Sequence, residues 1–376
     1  MILGVNGIRL IGDRSGVARV IEALLRALGE LEQPFDDIRV YSPRPIPPEV
    51  VLPPIARNVV LDSRLPLALW EQITLPRAHG PRDVLLCPSY VVPLAARCPT
   101  LLVHHGSYEG YPEAFDWWTR NKARAIYAAS AWRATAVSTV SEHSKRDIAR
   151  FYGIRPGRIG VIANGVDTRT FRPPSDPEAA GRWRTELFGA DLRYLVYVGK
   201  PTARRRLTPL LHAYAQLKHE GVIGQKLLIV GADLPGRSPV RRVIGELGID
   251  ADVVLLGYVA YDRMPLVYGG ADLLVYPSSY EGFGLPVLEA MACGTPVIAL
   301  NNTAFPEFAA GVACLLQDGD IDTLKRGIRD VLTDRELRAR MARDGPRRAA
   351  AYDWSIVARR YLDLMTSLVR APRALP

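Results

Sequence analysis

Short apolar runs bounded by glycine, proline and polar turns recur along this chain, and between them lie longer stretches in which apolar residues return every three or four positions. The first pattern predicts strands buried on both faces and the second amphipathic helices; their alternation predicts α/β layers built on parallel sheets. In the first half MILGVNGI, DIRVYS, DVLLCPS, TLLVHH, ATAVSTV and IGVIAN read as strands, with helical patterns such as GVARVIEALLRALGEL and SEHSKRDIARFYG between them. The second half repeats the scheme with RYLVYVG, QKLLIVG, DVVLLGY, ADLLVYP and TPVIAL. FRPPSDPE, rich in proline and polar residues, reads as the linker. The closing DWSIVARRYLDLMTSLVRA has helical periodicity.

Length turns this pattern into an architecture. At 376 residues the chain exceeds the size at which one core stops growing, and 48% hydrophobic residues can fill two. Two doubly wound domains, 1–172 and 173–354, are therefore expected, with a ligand at the carboxyl ends of the strands in the cleft between them. No internal repeat competes with that reading. No apolar run reaches about 18 residues and the start is strand-like, so a cytoplasmic protein is expected. Cys87, Cys98, Cys293 and Cys314 form no C-x-x-C pair and lie in apolar surroundings, which predicts buried free thiols and neither a disulfide framework nor a zinc site.

The net charge of +9 is carried almost wholly by arginine. Residues 117–158 hold nine Arg or Lys against two acids, with Trp117, Trp118 and Trp132 interleaved among Arg120, Lys122, Arg124 and Arg133. That mixture suits an anionic membrane surface. A solvated helix with its tryptophans in the core is the alternative, and both stay open. No nucleic-acid motif accompanies the charge, so a nucleic-acid partner is not expected.

The most specific chemistry lies in residues 276–300, YPSSYEGFGLPVLEAMACGTPVIAL. A buried strand runs into a glycine-rich turn and then a helix that starts near Leu285, with Pro286 suited to the first helical position, where a missing N–H costs nothing. Gly282 and Gly284 let the backbone approach a ligand, so that N–H groups from Phe283 to Leu285 can meet a phosphate or a sugar oxygen at the positive helix end. Glu281 sits in the turn and Glu289 one turn into the helix. Two carboxylate acceptors flanking a patch of donors suit the two ends of a sugar nucleotide.

This segment resembles the E-x7-E motif of retaining GT-B glycosyltransferases, in particular family four, whose members carry EGFGLPxLEAMAxGxPVI. The resemblance implies a GT-B fold of two Rossmann-like domains, with the C-terminal helix, about 355–376, crossing back to the N-terminal one. It implies that Glu281 contacts the donor sugar and Glu289 the ribose. YVGKPTARRRLTPLLHAY places Lys200 and Arg205 where family members show Arg and Lys, an exchange that keeps both charges but alters geometry. With Arg204, these cations would stabilise the leaving diphosphate without a metal. Gly16 matches the family's glycine-rich first loop, lengthened here by Asp13 and Arg14. In TLLVHHGSYEGYPEAF the Pro112–Glu113 pair aligns His104 with the family histidine and His105 with its usual aspartate, making His104 a candidate catalytic group.

Ser141, Asn164, Gly165 and Glu307 fall in further segments that fit the family and mainly support its fold. Asp318–Gly319–Asp320 has the form of a metal-binding D-x-D, but before IDTLKRGIRDVLTD an ordinary helix cap is expected. The expected activity is therefore metal-independent, retaining hexosyl transfer from a nucleoside diphosphate sugar to an acceptor hydroxyl, with no cofactor. LWEQITLPR at 69–77 resembles bacterial polysaccharide mannosyltransferases, which tilts the donor to GDP-mannose and the acceptor to a glycan or lipid-linked sugar. The base, the hexose, the acceptor and the oligomeric state stay open. A nucleotide-sugar epimerase of the same fold and a non-catalytic sugar-nucleotide-binding partner are the alternatives.

Overall fold

A computed structural model describes residues 1–12, 16–80, 83–111, 116–176, 178–231 and 239–370. The chain forms two compact units, Met1–Gly165 with Asp353–Pro376, and Val166–Tyr352.

The first unit is built on a seven-stranded sheet of β1 (Ile2–Asn6), β2 (Asp37–Ser42), β3 (Ala56–Val60), β4 (Val84–Cys87), β5 (Thr100–His104), β6 (Ala136–Thr139) and β7 (Ile159–Val161). Every pairing is parallel and the order is β3-β2-β1-β4-β5-β6-β7. The order reverses between β1 and β4, so the loops after these two strands leave in opposite directions and open a crevice at their carboxyl ends. Leu85, Leu102, Val137 and Ile159 meet Ile148, Tyr152 and Trp70 in the core on one face. The C-terminal helix Trp354–Arg370 belongs to this unit, packed beside the helix Gly16–Gly29, with Val357, Ala358, Tyr361, Leu362 and Met365 buried.

The second unit carries a six-stranded parallel sheet of β8 (Tyr194–Val198), β9 (Lys226–Val230), β10 (Val253–Leu256), β11 (Leu273–Tyr276), β12 (Val297–Leu300) and β13 (Cys314–Leu316), in the order β10-β9-β8-β11-β12-β13. Its central strands are buried throughout, which is why they read as unbroken apolar runs. Phe171 is buried in this unit, and Pro173 and Pro174 lie close against Gly294 and Gly269.

Each strand expected from the apolar runs is present. β3 and β13 were not anticipated: both are edge strands, β3 (ARNVV) mixing polar with apolar positions and β13 (CLL) only three residues long. Cys87, Cys98 and Cys293 are buried and Cys314 half-buried, all as free thiols.

Candidate functional site

In the second unit β11 ends at Tyr276 and the helix Leu285–Ala292 begins nine residues later, with Pro286 in its first turn. Gly284 takes φ +106°, and a Cβ there would stand 2.5 Å from Phe305 Cε1; only glycine serves this helix start. Among the described residues, the N–H groups of Phe283, Gly284 and Leu285 have no acceptor, so unpaired donors stand at the positive end of the helix. Phe283 is buried and stacks on Phe308, with ring centroids 4.7 Å apart, fixing the turn from behind; Leu285 is half-buried.

Glu281 and Glu289 flank this turn and both are about 95% buried, at 5% and 4% exposure. A buried carboxylate needs donors, and Glu281 has several on Oε1. Tyr276 donates at 2.9 Å and Ser278 at 3.1 Å, while Arg204 pairs with it and Arg205 Nε stands 3.4 Å away. Burial pushes the Tyr276 hydroxyl well above its ordinary value, so it remains a donor. Glu289 accepts from the Tyr268 hydroxyl at 2.7 Å.

Arg204 and Arg205 come from the loop after β8. Gly199 turns that loop at φ +133°, where a Cβ would fall 2.0 Å from Arg205 Nη1, so the missing side chain is the space the guanidinium uses. Ser279 donates to Arg204 O through its backbone N–H at 2.9 Å and its hydroxyl at 3.0 Å, and Asn302 donates to Ser279 O at 3.1 Å. These bonds join the loops after β8, β11 and β12 into one block. The expectation puts Arg204 and Arg205 on a diphosphate; in this structure both guanidinium groups stand beside Glu281. Arg206 turns away with φ +51° and donates to Gly319 O at 3.0 Å. Lys200 is exposed and has no ion-pair partner among the described residues.

In the first unit His104 closes β5 and is wholly buried. Its Nε2 lies 2.9 Å from the Tyr152 hydroxyl, which donates to Glu109; Nδ1 has no partner. Since the Tyr152 hydroxyl directs its hydrogen at Glu109, the histidine donates from Nε2 and keeps Nδ1 as a bare acceptor. The Tyr90 ring covers it edge-on at 4.7 Å. Burial, with a smaller effect of His105, lowers the His104 pKa to about 3. His105 donates through Nε2 to Pro88 O at 2.8 Å.

Gly16 opens its helix as an exposed residue; Asp13 and Arg14 before it, and the Pro112–Glu113 pair, lie outside the described residues. Ser141 caps the helix Glu142–Tyr152 by accepting from Ser144 N, and Asp320 caps Ile321–Thr333 by accepting from Thr323 N at 2.7 Å. Trp117, Trp118 and Trp132 are 57%, 77% and 55% exposed, so the alternative that placed them in a core is wrong. Sequence reasoning overlooked Asn6, Arg9, Glu71 and Ser89, which meet near the carboxyl ends of β1 and β4; LWEQITLPR, quoted only for its resemblance, held the strongest of these signals.

Two parallel-sheet units, one of them ending in paired buried carboxylates around a helix N-terminus, define a GT-B glycosyltransferase architecture. Residues 14–170 match the model for Glycosyltransferase Family 4 and residues 184–348 that for Glycosyl transferases group 1. The chain belongs to these glycosyltransferases. It is 29% identical to O-antigen chain mannosyltransferase B of Escherichia coli over 59% of this chain and 58% of that protein. With MMP alpha-(1->4)-mannosyltransferase of Mycolicibacterium hassiacum it shares 30% identity over 65% of this chain and 58% of the relative. The matched segment thus spans less than two thirds of either relative. Among solved structures, HepE of Anabaena in complex with UDP-glucose superposes with a TM-score of 0.79 at 20% identity, covering 97% of this chain and 99% of that one. Sucrose-phosphate synthase of Thermosynechococcus elongatus gives 0.79 at 22%, over 99% and 100%. These likenesses support the fold.

Proposed function

We propose that this chain transfers a hexose, mannose foremost, from a nucleoside diphosphate sugar to a hydroxyl of a glycan or lipid-linked acceptor, with retention and without a metal. The observation that carries the reading is the pair Glu281 and Glu289, buried on either side of a helix start whose N–H groups are unpaired. Glu289 accepts from the ribose, the N–H groups and the cations Lys200, Arg204 and Arg205 receive the diphosphate, and Glu281 accepts from the sugar. Mannose is favoured by the names of the relatives; a nucleotide-sugar donor is favoured by HepE, solved with UDP-glucose. In a front-face reaction the acceptor attacks on the side the nucleotide leaves, and the departing phosphate takes its proton. Fixed cations and helix dipoles then supply the electrostatic stabilisation. His104, with its bare Nδ1, belongs in this reading to the acceptor side.

The helix Trp117–Arg133, basic and with exposed tryptophans, is proposed to rest on an anionic membrane at its cytoplasmic face. No described helix is long and apolar enough to cross a membrane.

Thermal shift and turnover with UDP-, GDP- and ADP-hexoses test the assignment, since a ligand of the native state raises its stability by mass action. We expect one of these donors to stabilise the chain, and EDTA to leave turnover unchanged. Glu289→Ala should weaken nucleoside diphosphate binding, and Glu281→Ala should lower turnover more than that binding. Arg205→Ala should cost about 1.5–3 kcal/mol of donor affinity. Unaltered kinetics in all three variants, or activity abolished by EDTA and restored by magnesium, would sink the assignment. A changed sugar nucleotide without any acceptor would mean an epimerase.

A further inference from the structure

The crevice between β1 and β4 carries a polar constellation that the donor chemistry does not use. It begins with Trp-Glu-Gln at 70–72. Trp70 is fully buried, with its indole N–H on Leu61 O at 2.9 Å. Gln72 clamps the chain after β4, donating to Val92 O at 3.1 Å and accepting from Leu94 N at 2.9 Å. Glu71, held between these two anchors, is 9% exposed and turned to the end of β1, where Asn6 Nδ2 donates to its Oε1 at 2.7 Å. Its Oε2 has no donor among the described residues.

A surface helix has no need to bury a carboxylate at the end of a strand, since an exposed acid avoids the desolvation cost that this one bears. Burial raises the Glu71 pKa, and Asn6 and then Arg9 oppose the rise. The backbone is also unusual here. Residues Trp70–Thr74 form a π-helix, closed by Leu75 N–H on Trp70 O, an insertion that recurs at functional sites because it re-aims one side chain. Tyr90, two residues after Pro88 in the loop that follows β4, holds φ +64°, a strained conformation for an aromatic residue. Arg9 comes from the loop after β1, and its Nε donates to Ser89 Oγ at 2.7 Å. This leaves its Nη groups without a partner among the described residues. His105 follows the last residue of β5, and the charge of Arg9 reaches it too.

We propose that Glu71 and Arg9 form the acceptor subsite: Glu71 Oε2 accepts from one hydroxyl of a sugar or polyol, and the Arg9 guanidinium donates to a neighbouring oxygen. Asn6 and Ser89 hold the pair in place. A carboxylate beside a guanidinium matches adjacent hydroxyls, each of which can both donate and accept. The subsite deepens the transferase reading and rests on it for the word acceptor; the hydroxyl recognition itself rests on Glu71 and Arg9.

Saturation-transfer NMR of methyl α-D-mannopyranoside on the full chain, with nucleoside diphosphate present, tests it on the parent, Glu71→Gln and Arg9→Ala. Glutamine keeps an oxygen for Asn6 and removes the charge; Arg9 is exposed, so its variant folds even if a core change does not. We expect the parent to bind the glycoside and each variant to bind it about tenfold more weakly, one charge-assisted hydrogen bond. Nucleoside diphosphate affinity should stay within about twofold. A parent that binds no glycoside, or variants that bind it equally well, overturns the subsite. Sugar-nucleotide turnover in the same samples separates the readings: its absence in the parent counts against the transferase, while normal turnover with unchanged glycoside binding counts against Glu71 and Arg9 alone.

Discussion

Three buried histidines set how the first unit responds to acid. Burial lowers His79 to about 4, His104 to about 3 and His105 to about 4. A histidine with a depressed native pKa is neutral in the fold and takes a proton only on unfolding, so its share of the stability falls as pH drops below about 6.5 towards the native value. Each should cost about 1.4 kcal/mol between pH 7.5 and 5.5. His79, whose two ring nitrogens have no partner, is the clean test. His79→Leu should reduce the acid loss by about 1.4 kcal/mol in urea unfolding at the two pH values; an undiminished loss would remove this histidine from the acid response. At this scale Glu281 and Glu289 were legible because the turn chemistry around them is local. Their partners Tyr276, Ser278 and Tyr268 were not, since nothing in a sequence says which hydroxyl meets which carboxylate.

Whether a helix hides or shows its large residues is decided by what lies against it. The helix Trp117–Arg133 is exposed along most of its length; Ser130 and Ala131 near its end are buried, and Tyr127 and Ala128 pack on the core. Its tryptophans differ in attachment. Trp132 donates its indole N–H to Tyr152 O at 2.9 Å and lies under Arg158, whereas Trp117 and Trp118 touch each other edge-on at 4.6 Å. Trp117→Ala with Trp118→Ala should therefore leave the melting temperature nearly unchanged and lower sedimentation with phosphatidylglycerol vesicles several-fold. Binding to neutral phosphatidylcholine vesicles should be weak in both proteins, because about 1 kcal/mol per basic residue comes from the anionic surface. Equal sedimentation of parent and variant would remove the membrane from this helix. The edge strand β3 escaped the sequence for a related reason: partial burial leaves polar residues among its apolar ones, whereas β13 is apolar but only three residues long.

At the scale of the molecule, the chain returns at its end to the unit in which it began. Tyr361 and Met365 are fully buried there, and the helix that carries them lies beside Gly16–Gly29. Ending the chain after Tyr352 should lower hydrogen-exchange protection across residues 1–165 while protection in β8, β11 and β12 persists, because the removed apolar surface belongs to the first core alone. Uniform loss of protection in both units would contradict this division.

Local chemistry along the chain determined the alternation of strands and helices, the fully buried central strands, the caps at Ser141 and Asp320, and the turn around Gly284. Each of these depends on neighbours within a few positions, which a sequence states directly. Tertiary structure alone decided that Arg204 and Arg205 meet Glu281 across 77 and 76 residues, that Asn6 meets Glu71 across 65, and that three tryptophans stand outside the core. Such pairings follow from strand order and from where a parallel sheet reverses, so the side chains that share a crevice are set by topology and not by their spacing along the chain.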